Sequence, residues 1–459
     1  MLNKNDIITL EIIDISNDGN GVGRYDDVVI FVPMTAVGDV ISCRIVKVKK
    51  NYCYGIIDRI ISSSADRIES DCPVFRQCGG CAFRHMTYEA ECRAKEKFIK
   101  NSFERIGKLS PEFEEIIPCD SVDYYRNKAQ YPVADREGKA VCGFYAKRSH
   151  RVVECHQCRL QPPVFEKIVD LIMDFINQKK IKAYNEITGK GLLRHIYLRR
   201  GEHSGEILVC LVITSFSNAK IFDGLVPLLT SCFPDIKSIV LNENGDRTNV
   251  ILGERIKTIY GKDKITDIMC GNCIEISPLS FYQVNTCQAE KLYRYAFELA
   301  NAGESSFILD LYCGAGTIGL SMARKVGKLV GVEIVPESIE NAKNNAAMNG
   351  IKNCEFICGD AGNAAKILYE RSERPDIIIA DPARKGCDTA TLEYIARMSP
   401  ERIVMISCNH TTAARDCAIL DDLGYRAEIV RGVDMFPRTT HVETVVLMSR
   451  VEKLKYEKV

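Results

Sequence analysis

Five short apolar runs in the last third of the chain constrain its fold more than any other feature. FILDLYC, KLVGVEIV, CEFICGD, DIIIADP and RIVMIS follow one another once the pattern changes near residue 290. Helical stretches separate them, around residues 316–326, 336–349, 388–398 and 411–423. Apolar runs alternating with helices predict a parallel sheet with crossover helices. ETVVLMSRV, near the end, predicts one more strand. In open sheets of this kind ligands bind beyond the carboxyl ends of the strands.

Three of those ends carry acids. The first run ends at Asp310, and the turn after it holds Tyr312, Gly314 and Gly316 before a helix begins. Glycine there lets backbone approach a ligand closely, because no Cβ intervenes. The second run ends near Glu333, where a carboxylate suits a ribose diol, and the third at Asp360, placed to meet an adenine edge. A dinucleotide site would instead set G-x-G-x-x-G glycines around a pyrophosphate. S-adenosylmethionine carries an amino-acid group and a sulfonium but no phosphate, so carboxylates at three strand ends suit it better.

The remaining ends carry reactive groups. DIIIADPARKG places Asp381, Pro382 and Arg384 after the fourth strand, and RIVMISCNH places Cys408 after the fifth. A thiolate that adds to carbon 6 of a uracil makes carbon 5 nucleophilic enough to attack a methyl sulfonium. The carbon-5 proton must then leave, which needs a base. In TTHVETV, His441 and Glu443 alternate in an extended stretch and are expected on one face, with Glu443 as the base and His441 in support. A free thiol ionises near pH ~8.5, so Cys408 needs activation.

Ahead of this domain the pattern differs. Residues 1–62 read as four or five short strands, which suggests a small barrel of the oligonucleotide-binding type, with Gly19, Gly21 and Gly23 supplying turn freedom. Cys72, Cys78 and Cys81 then offer three thiolates in ten residues, with Cys155 and Cys158 as candidates for a fourth. Four thiolates suit zinc or an iron–sulfur cluster. Residues 88–106 and 163–178 read as helices within an otherwise strand-rich stretch, so 63–288 is expected to form an α+β domain and 289–459 the α/β domain.

The chain has 61 basic and 61 acidic residues, which removes any global argument for a nucleic-acid partner. Residues 126–200 nevertheless hold 16 Lys/Arg against 7 Asp/Glu, a local excess of +9. Tyr131, Phe144 and Tyr145 lie in that stretch and Tyr124 and Tyr125 just before it, with Lys147, Arg148 and Arg151 beside Tyr145. Cations near aromatics suit backbone pairing and base stacking. No apolar run reaches the ~20 residues of a membrane span, and the opening MLNKNDIITLEIIDIS lacks a signal-peptide core, which points to the cytoplasm. The 21 cysteines then read as free thiols, with Cys210 and Cys358 as small core residues in apolar runs. Nothing demands more than a monomer.

SPLSFYQVN at 277–285, LDLYCGAGTIGL, VGVE, DPARKG, SCN and HVET together resemble the RNA uracil-5-methyltransferase family, in its iron–sulfur branch that acts on 23S ribosomal RNA. The resemblance covers nearly the whole chain, and the N-terminal barrel resembles a TRAM domain. It implies that Gln283 binds S-adenosylmethionine, Phe281 stacks on a flipped base, Asp381 lies beside the reacting uracil, Cys408 is the nucleophile and Glu443 the base. It also implies a [4Fe–4S] cluster on Cys72, Cys78, Cys81 and Cys158. The family often has proline where this chain has His410, and histidine where it has Arg438. Rival readings are a transfer-RNA uracil methyltransferase and an iron–sulfur RNA-binding protein without catalysis.

Overall fold

A computed structural model describes residues 2–451. Eight strands form the C-terminal sheet, in the order Cys354–Cys358, Lys328–Glu333, Phe307–Leu311, Ile377–Ala380, Arg402–Ser407, Glu443–Arg450, Tyr425–Val433 and Glu112–Ile117. Neighbours pair in parallel, except that Glu443–Arg450 runs antiparallel to both of its partners. The predicted strands other than Cys354–Cys358 are buried along nearly their whole length, because both of their faces are covered. Ile308, Ile379, Val404 and Leu447 face one core with helix Thr286–Ala300. Leu309, Ile378, Met405 and Met448 face the other, with helices Ala361–Glu370, Thr389–Met398 and His410–Asp422. The chain leaves Phe307–Leu311 toward one edge and returns to Ile377–Ala380 on its other side. That reversal opens a crevice beyond the carboxyl ends of those two strands.

Glu112–Ile117 comes from the stretch assigned by sequence to the central region, yet it pairs with Tyr425–Val433 at the edge of this sheet. Ile99, Phe103 and Ile116 pack into the same core, so helix Tyr88–Ser102 belongs to the C-terminal layers as well. Cys210 is fully buried as expected. Cys358 is exposed, because its strand is the sheet's other edge.

Upstream, seven strands from Val152–Glu154 to Arg255–Gly261 form a second sheet. Helix Pro163–Gln178 buries Phe165, Ile168, Ile172 and Ile176 against it, one face at helical spacing. The N-terminal unit is a six-stranded sheet around Leu10, Ile12, Ile30, Val32, Ile41 and Ile45. Its glycines correct the sequence reading. Gly19 has φ +77° and does supply a turn. Gly21 and Gly23 lie inside strand Asn20–Tyr25, where a Cβ would sit 1.9 Å from Thr35 Oγ1 and 2.5 Å from the Glu11 carbonyl. They are small because neighbours press on them. Among the described residues no helix is long and apolar enough to cross a membrane.

Candidate active site

The acidic edge forms at the ends of the first two strands of the Rossmann-like unit. Asp310 is buried, and its Oδ2 accepts the Gly319 N–H at 2.9 Å. Its Oδ1 is buried without a partner, which costs free energy unless a ligand supplies one. Burial, with the charges of Asp381 and Glu333, pushes Asp310 up to about 8, against the Gly319 hydrogen bond. Tyr312, Gly314 and Gly316 all take left-handed backbone, at φ +67°, +55° and +79°. A Cβ on Gly314 would meet nothing within 4 Å, so the turn faces open space. Glu333 holds the turn by accepting the Gly314 N–H at 3.2 Å. An amino-acid ligand with a cationic sulfonium fits this edge: it offers donors to the orphaned oxygen and positive charge to the acids. Asp360 stands further out, exposed, and caps helix Ala361–Glu370 by accepting the Asn363 N–H at 3.1 Å.

The reactive groups leave the next strands at the same edge. Asp381 follows Ile377–Ala380, and burial pushes its carboxyl up to about 7. Cys408 follows Arg402–Ser407 and is partly exposed. Glu443 opens the antiparallel neighbour, in which Ser407 pairs with Thr444. It is buried, and burial together with the Asp381 charge raises it to about 8, while Arg384 opposes the shift. Cys408 is raised by burial and the Glu443 charge, with Asp381 adding to them; the Arg384 guanidinium hydrogen-bonds it and lowers it. Sequence reading placed Arg384 at this edge and gave it no role. His441 departs from expectation. The strand begins only at Glu443, so alternation does not carry back to His441, which is exposed in the preceding loop.

Residues 277–285 form a loop tied down on both sides. Tyr197 Oη donates to the Pro278 carbonyl at 3.0 Å, and Arg199 Nη2 to that of Ser280 at 2.5 Å. Asn127 Nδ2 donates to the Gln283 carbonyl at 2.8 Å. Asn285 then caps helix Thr286–Ala300, which sequence reading missed, by accepting the Gln288 N–H. Within this fixed loop the Phe281 ring is 65% exposed.

Residues 273–451 match the model of the tRNA (Uracil-5-)-methyltransferase family, and residues 3–57 that of the TRAM domain. Over 448 residues, 97% of its length, the chain is 42% identical to an uncharacterized RNA methyltransferase of Halalkalibacterium halodurans, of which it covers 98%. The chain belongs to the RNA uracil-5-methyltransferase family. A second uncharacterized RNA methyltransferase, from Clostridium acetobutylicum, is 40% identical over 98% of both chains. Among solved structures, the tRNA (uracil-54, C5)-methyltransferase of Pyrococcus abyssi in complex with S-adenosyl-L-homocysteine superposes with a TM-score of 0.77 at 27% identity, covering 96% of this chain and 100% of that one. The chain is thus an S-adenosylmethionine-dependent RNA uracil-5-methyltransferase with a TRAM domain.

In this methyltransferase Cys72, Cys78, Cys81, Cys155 and Cys158 all line one cavity of about 60 Å³. None is in a disulfide. The Cys155 thiol bridges Cys72 and Cys158, and its hydrogen bonds hold both below the ordinary thiol range while Cys155 itself is raised. Both Cys155 and Cys158 line the cavity, which does not choose between them as a fourth donor. Among the described residues, no three His, Cys, Asp or Glu side chains are disposed to hold a single metal ion. A four-iron cluster asks for something else, four thiolates spread around it, and a cavity walled by five thiols fits that need.

The same cysteine segment braces two other parts of the methyltransferase. Gly79 N–H donates to the Tyr145 carbonyl at 2.9 Å, and Cys78 bridges to Ala146. Lys147 and Arg148 are exposed in the turn that follows, with Arg148 at φ +56°. On the other side the N–H groups of Ala82 and Phe83 both donate to the Arg438 carbonyl, at 2.7 and 3.1 Å. Arg438 lies in the loop that delivers Glu443.

Proposed function

We propose that this enzyme methylates carbon 5 of a uridine in 23S ribosomal RNA through a covalent adduct between Cys408 and carbon 6. One observation supports the chemistry above others: a thiol and two raised carboxyls converge at the carboxyl edge of one sheet, beside the acidic turn at Asp310. The Cys408 thiolate adds to carbon 6, and the 5,6 electron pair moves to make an enolate nucleophilic at carbon 5. S-adenosylmethionine, when bound, supplies the electrophilic methyl group. Carbon 5 takes that methyl and then carries one hydrogen too many. Glu443, as carboxylate, removes it as a proton; the freed pair restores the double bond and the sulfur leaves carbon 6. Asp381 lies beside the ring, and Phe281 stacks on the base, which must be unpaired or flipped to expose carbon 6. Gln283, Asp310, Tyr312, Gly314, Gly316, Glu333, Asp360 and, on its other side, Asp381 hold the methyl donor. Lys147 and Arg148 meet RNA phosphates.

The ribosomal target rests on the motif set and on the cysteine cavity, which we assign to a [4Fe–4S] cluster on Cys72, Cys78, Cys81 and Cys158. The methyl transfer moves no net electrons, so the cluster's part is to brace the two segments bonded to Gly79 and to Ala82. A second reading, a transfer-RNA target, is favoured by the likeness to the Pyrococcus abyssi enzyme, which extends over the barrel and so removes the barrel as a discriminator. Either way the enzyme would work in the cytoplasm as a monomer. Mapping 5-methyluridine in ribosomal and transfer RNA from cells with and without the gene tests the proposal. Loss of a methyl from 23S ribosomal RNA alone is expected, and loss only from transfer RNA would replace it with the second reading. Iron and sulfide should copurify anaerobically; zinc in their place would remove the cluster.

A further inference from the structure

A second cavity in the central sheet, remote in sequence from the acidic edge and from Cys408, has the makings of a binding site. It has a volume of about 280 Å³ and is walled by Tyr145, His150, Tyr184, Glu186 and His195. His195 lies on the central strand Leu193–Arg200 and is 93% buried, and neither of its ring nitrogens has a partner. A buried imidazole with both nitrogens unsatisfied is a standing cost, and native structures rarely keep one without a use. Burial and the neighbouring Arg194 guanidinium hold its pKa down at about 4, so near neutrality the ring carries one N–H donor and one acceptor. Stacked rings form another wall: Tyr145 and His150 lie 5.0 Å apart and 20° from parallel. Tyr184 is covered on one face by Arg194, 4.6 Å from its ring centre. Lys147 and Arg148 are exposed in the turn between Tyr145 and His150.

We propose that this pocket takes one unpaired nucleobase of the RNA substrate, other than the uracil that is methylated. A flat ring extends the Tyr145–His150 stack over a floor that includes His195, and its phosphate meets Lys147 or Arg148. RNA is read mainly through splayed-out single-stranded bases on aromatic platforms, and each stacked base is worth enough for one aromatic to matter. The Glu186 carboxylate, which already accepts from His150 at 2.7 Å, adds an acceptor at the rim and favours a base with an exocyclic amino group. The pocket also gives the cysteine segment a purpose in recognition, because Gly79 and Cys78 brace the strand end that carries Tyr145. The inference rests on the RNA-methyltransferase reading of Cys408 and Glu443, but it concerns affinity, whereas that reading concerns chemistry.

The test uses the full-length enzyme and a fluorescein-labelled transcript of the ribosomal RNA segment that the wild type methylates. Tyr145→Leu, at a partly exposed position, and His195→Phe, which fills the floor, should each raise the Kd for that RNA about tenfold. Replacing transcript bases one by one with abasic sites should reveal one non-target position that weakens wild-type binding by a similar factor. That same abasic site should cost the Tyr145→Leu enzyme nothing further, since the partner is already gone. Wild-type affinity in both variants, or an abasic penalty undiminished in Tyr145→Leu, overturns the pocket and leaves the methyltransferase reading intact. Failure of the wild type to methylate any cellular RNA overturns both.

Discussion

Cys408 and Glu443 stand at the ends of neighbouring antiparallel strands, just past the Ser407–Thr444 pair, and the carboxylate's charge adds to burial in raising the thiol. Arg384 pulls the other way on both groups. The nucleophile and the base therefore oppose each other's ionisation, and the guanidinium referees. Removing the carboxylate should lower the thiol's pKa, so Glu443→Gln should react with iodoacetamide at Cys408 several-fold faster than wild type near pH ~8. Arg384→Met should react more slowly. Equal alkylation rates in all three proteins would show that these charges do not reach the sulfur.

The two groups should also separate by what they leave behind. Cys408→Ala cannot form the carbon-6 bond, so methyl transfer should fall below detection and no RNA adduct should appear. Glu443→Gln can add and methylate but cannot remove the carbon-5 proton, so a methylated protein–RNA adduct should accumulate. Denaturing gel electrophoresis with labelled methyl donor reads both outcomes. A Glu443→Gln enzyme that turns over without adduct would move the base elsewhere, with Asp381 the next carboxyl at that edge.

How far the sequence foretold this edge differs between residues. The apolar strands were legible because a strand covered on both faces has no polar alternation to blur it. Asp310, Asp381 and Cys408 were legible as residues that end such runs. Glu112–Ile117 was not, since EFEEII is half exposed and its pairing partner lies more than three hundred residues on. Arg384 was visible but mute, because its meaning depends on a turn that brings it back to Cys408. Gly21 and Gly23 read as turn residues because crowding by Thr35 and Glu11 is a tertiary fact.

The acidic edge makes a prediction about pH. Asp310, Asp381 and Glu443 sit at about 8, 7 and 8, against ordinary values of 3.8, 3.8 and 4.5. Between those limits the folded enzyme without donor holds protons that the unfolded chain has released. These three groups should therefore make stability fall as pH rises toward about 8, whereas His195 and His410, held down at about 4, act the opposite way below their ordinary value of 6.5. Glu443→Gln removes one such group and should gain about 1–3 kcal/mol at the upper end of that window, with little change at the lower. S-adenosylmethionine brings a sulfonium that S-adenosylhomocysteine lacks, so its stabilising advantage should grow with pH. Thermal midpoints of wild type and Glu443→Gln across the range, with each ligand, check this; an advantage of the variant that does not grow toward pH ~8 would contradict it.

The loop that presents Glu443 is itself anchored by a buried charge. Lys95 has no exposed side-chain surface, and its Nζ donates to Glu91 Oε1 and Asp434 Oδ1, each at 2.7 Å. Asp434 also accepts from Tyr88 Oη at 2.8 Å, and Glu91 accepts the Arg438 N–H at 2.7 Å. Helix Tyr88–Ser102 is thereby fastened to residues 434–438, nine to five positions before Glu443. Glu91, Lys95, Phe98, Ile99 and Ser102 fall on one stripe of that helix, which a helical reading of the sequence shows, but the third partner is 339 residues away. Lys95→Ala leaves two carboxyls buried with less charge to match them, and breaking a buried pair in this way costs about 3–5 kcal/mol. Lys95→Met paired with Asp434→Asn fills the same volume and leaves less unmatched charge, so it should recover most of that loss. Urea midpoints measure the stability, and methyl transfer by the paired variant measures the loop. If the paired variant is as stable as wild type yet methylates more slowly while Cys408 alkylates normally, the buried lysine serves to hold the base in place; if its activity also returns in full, the network serves stability alone.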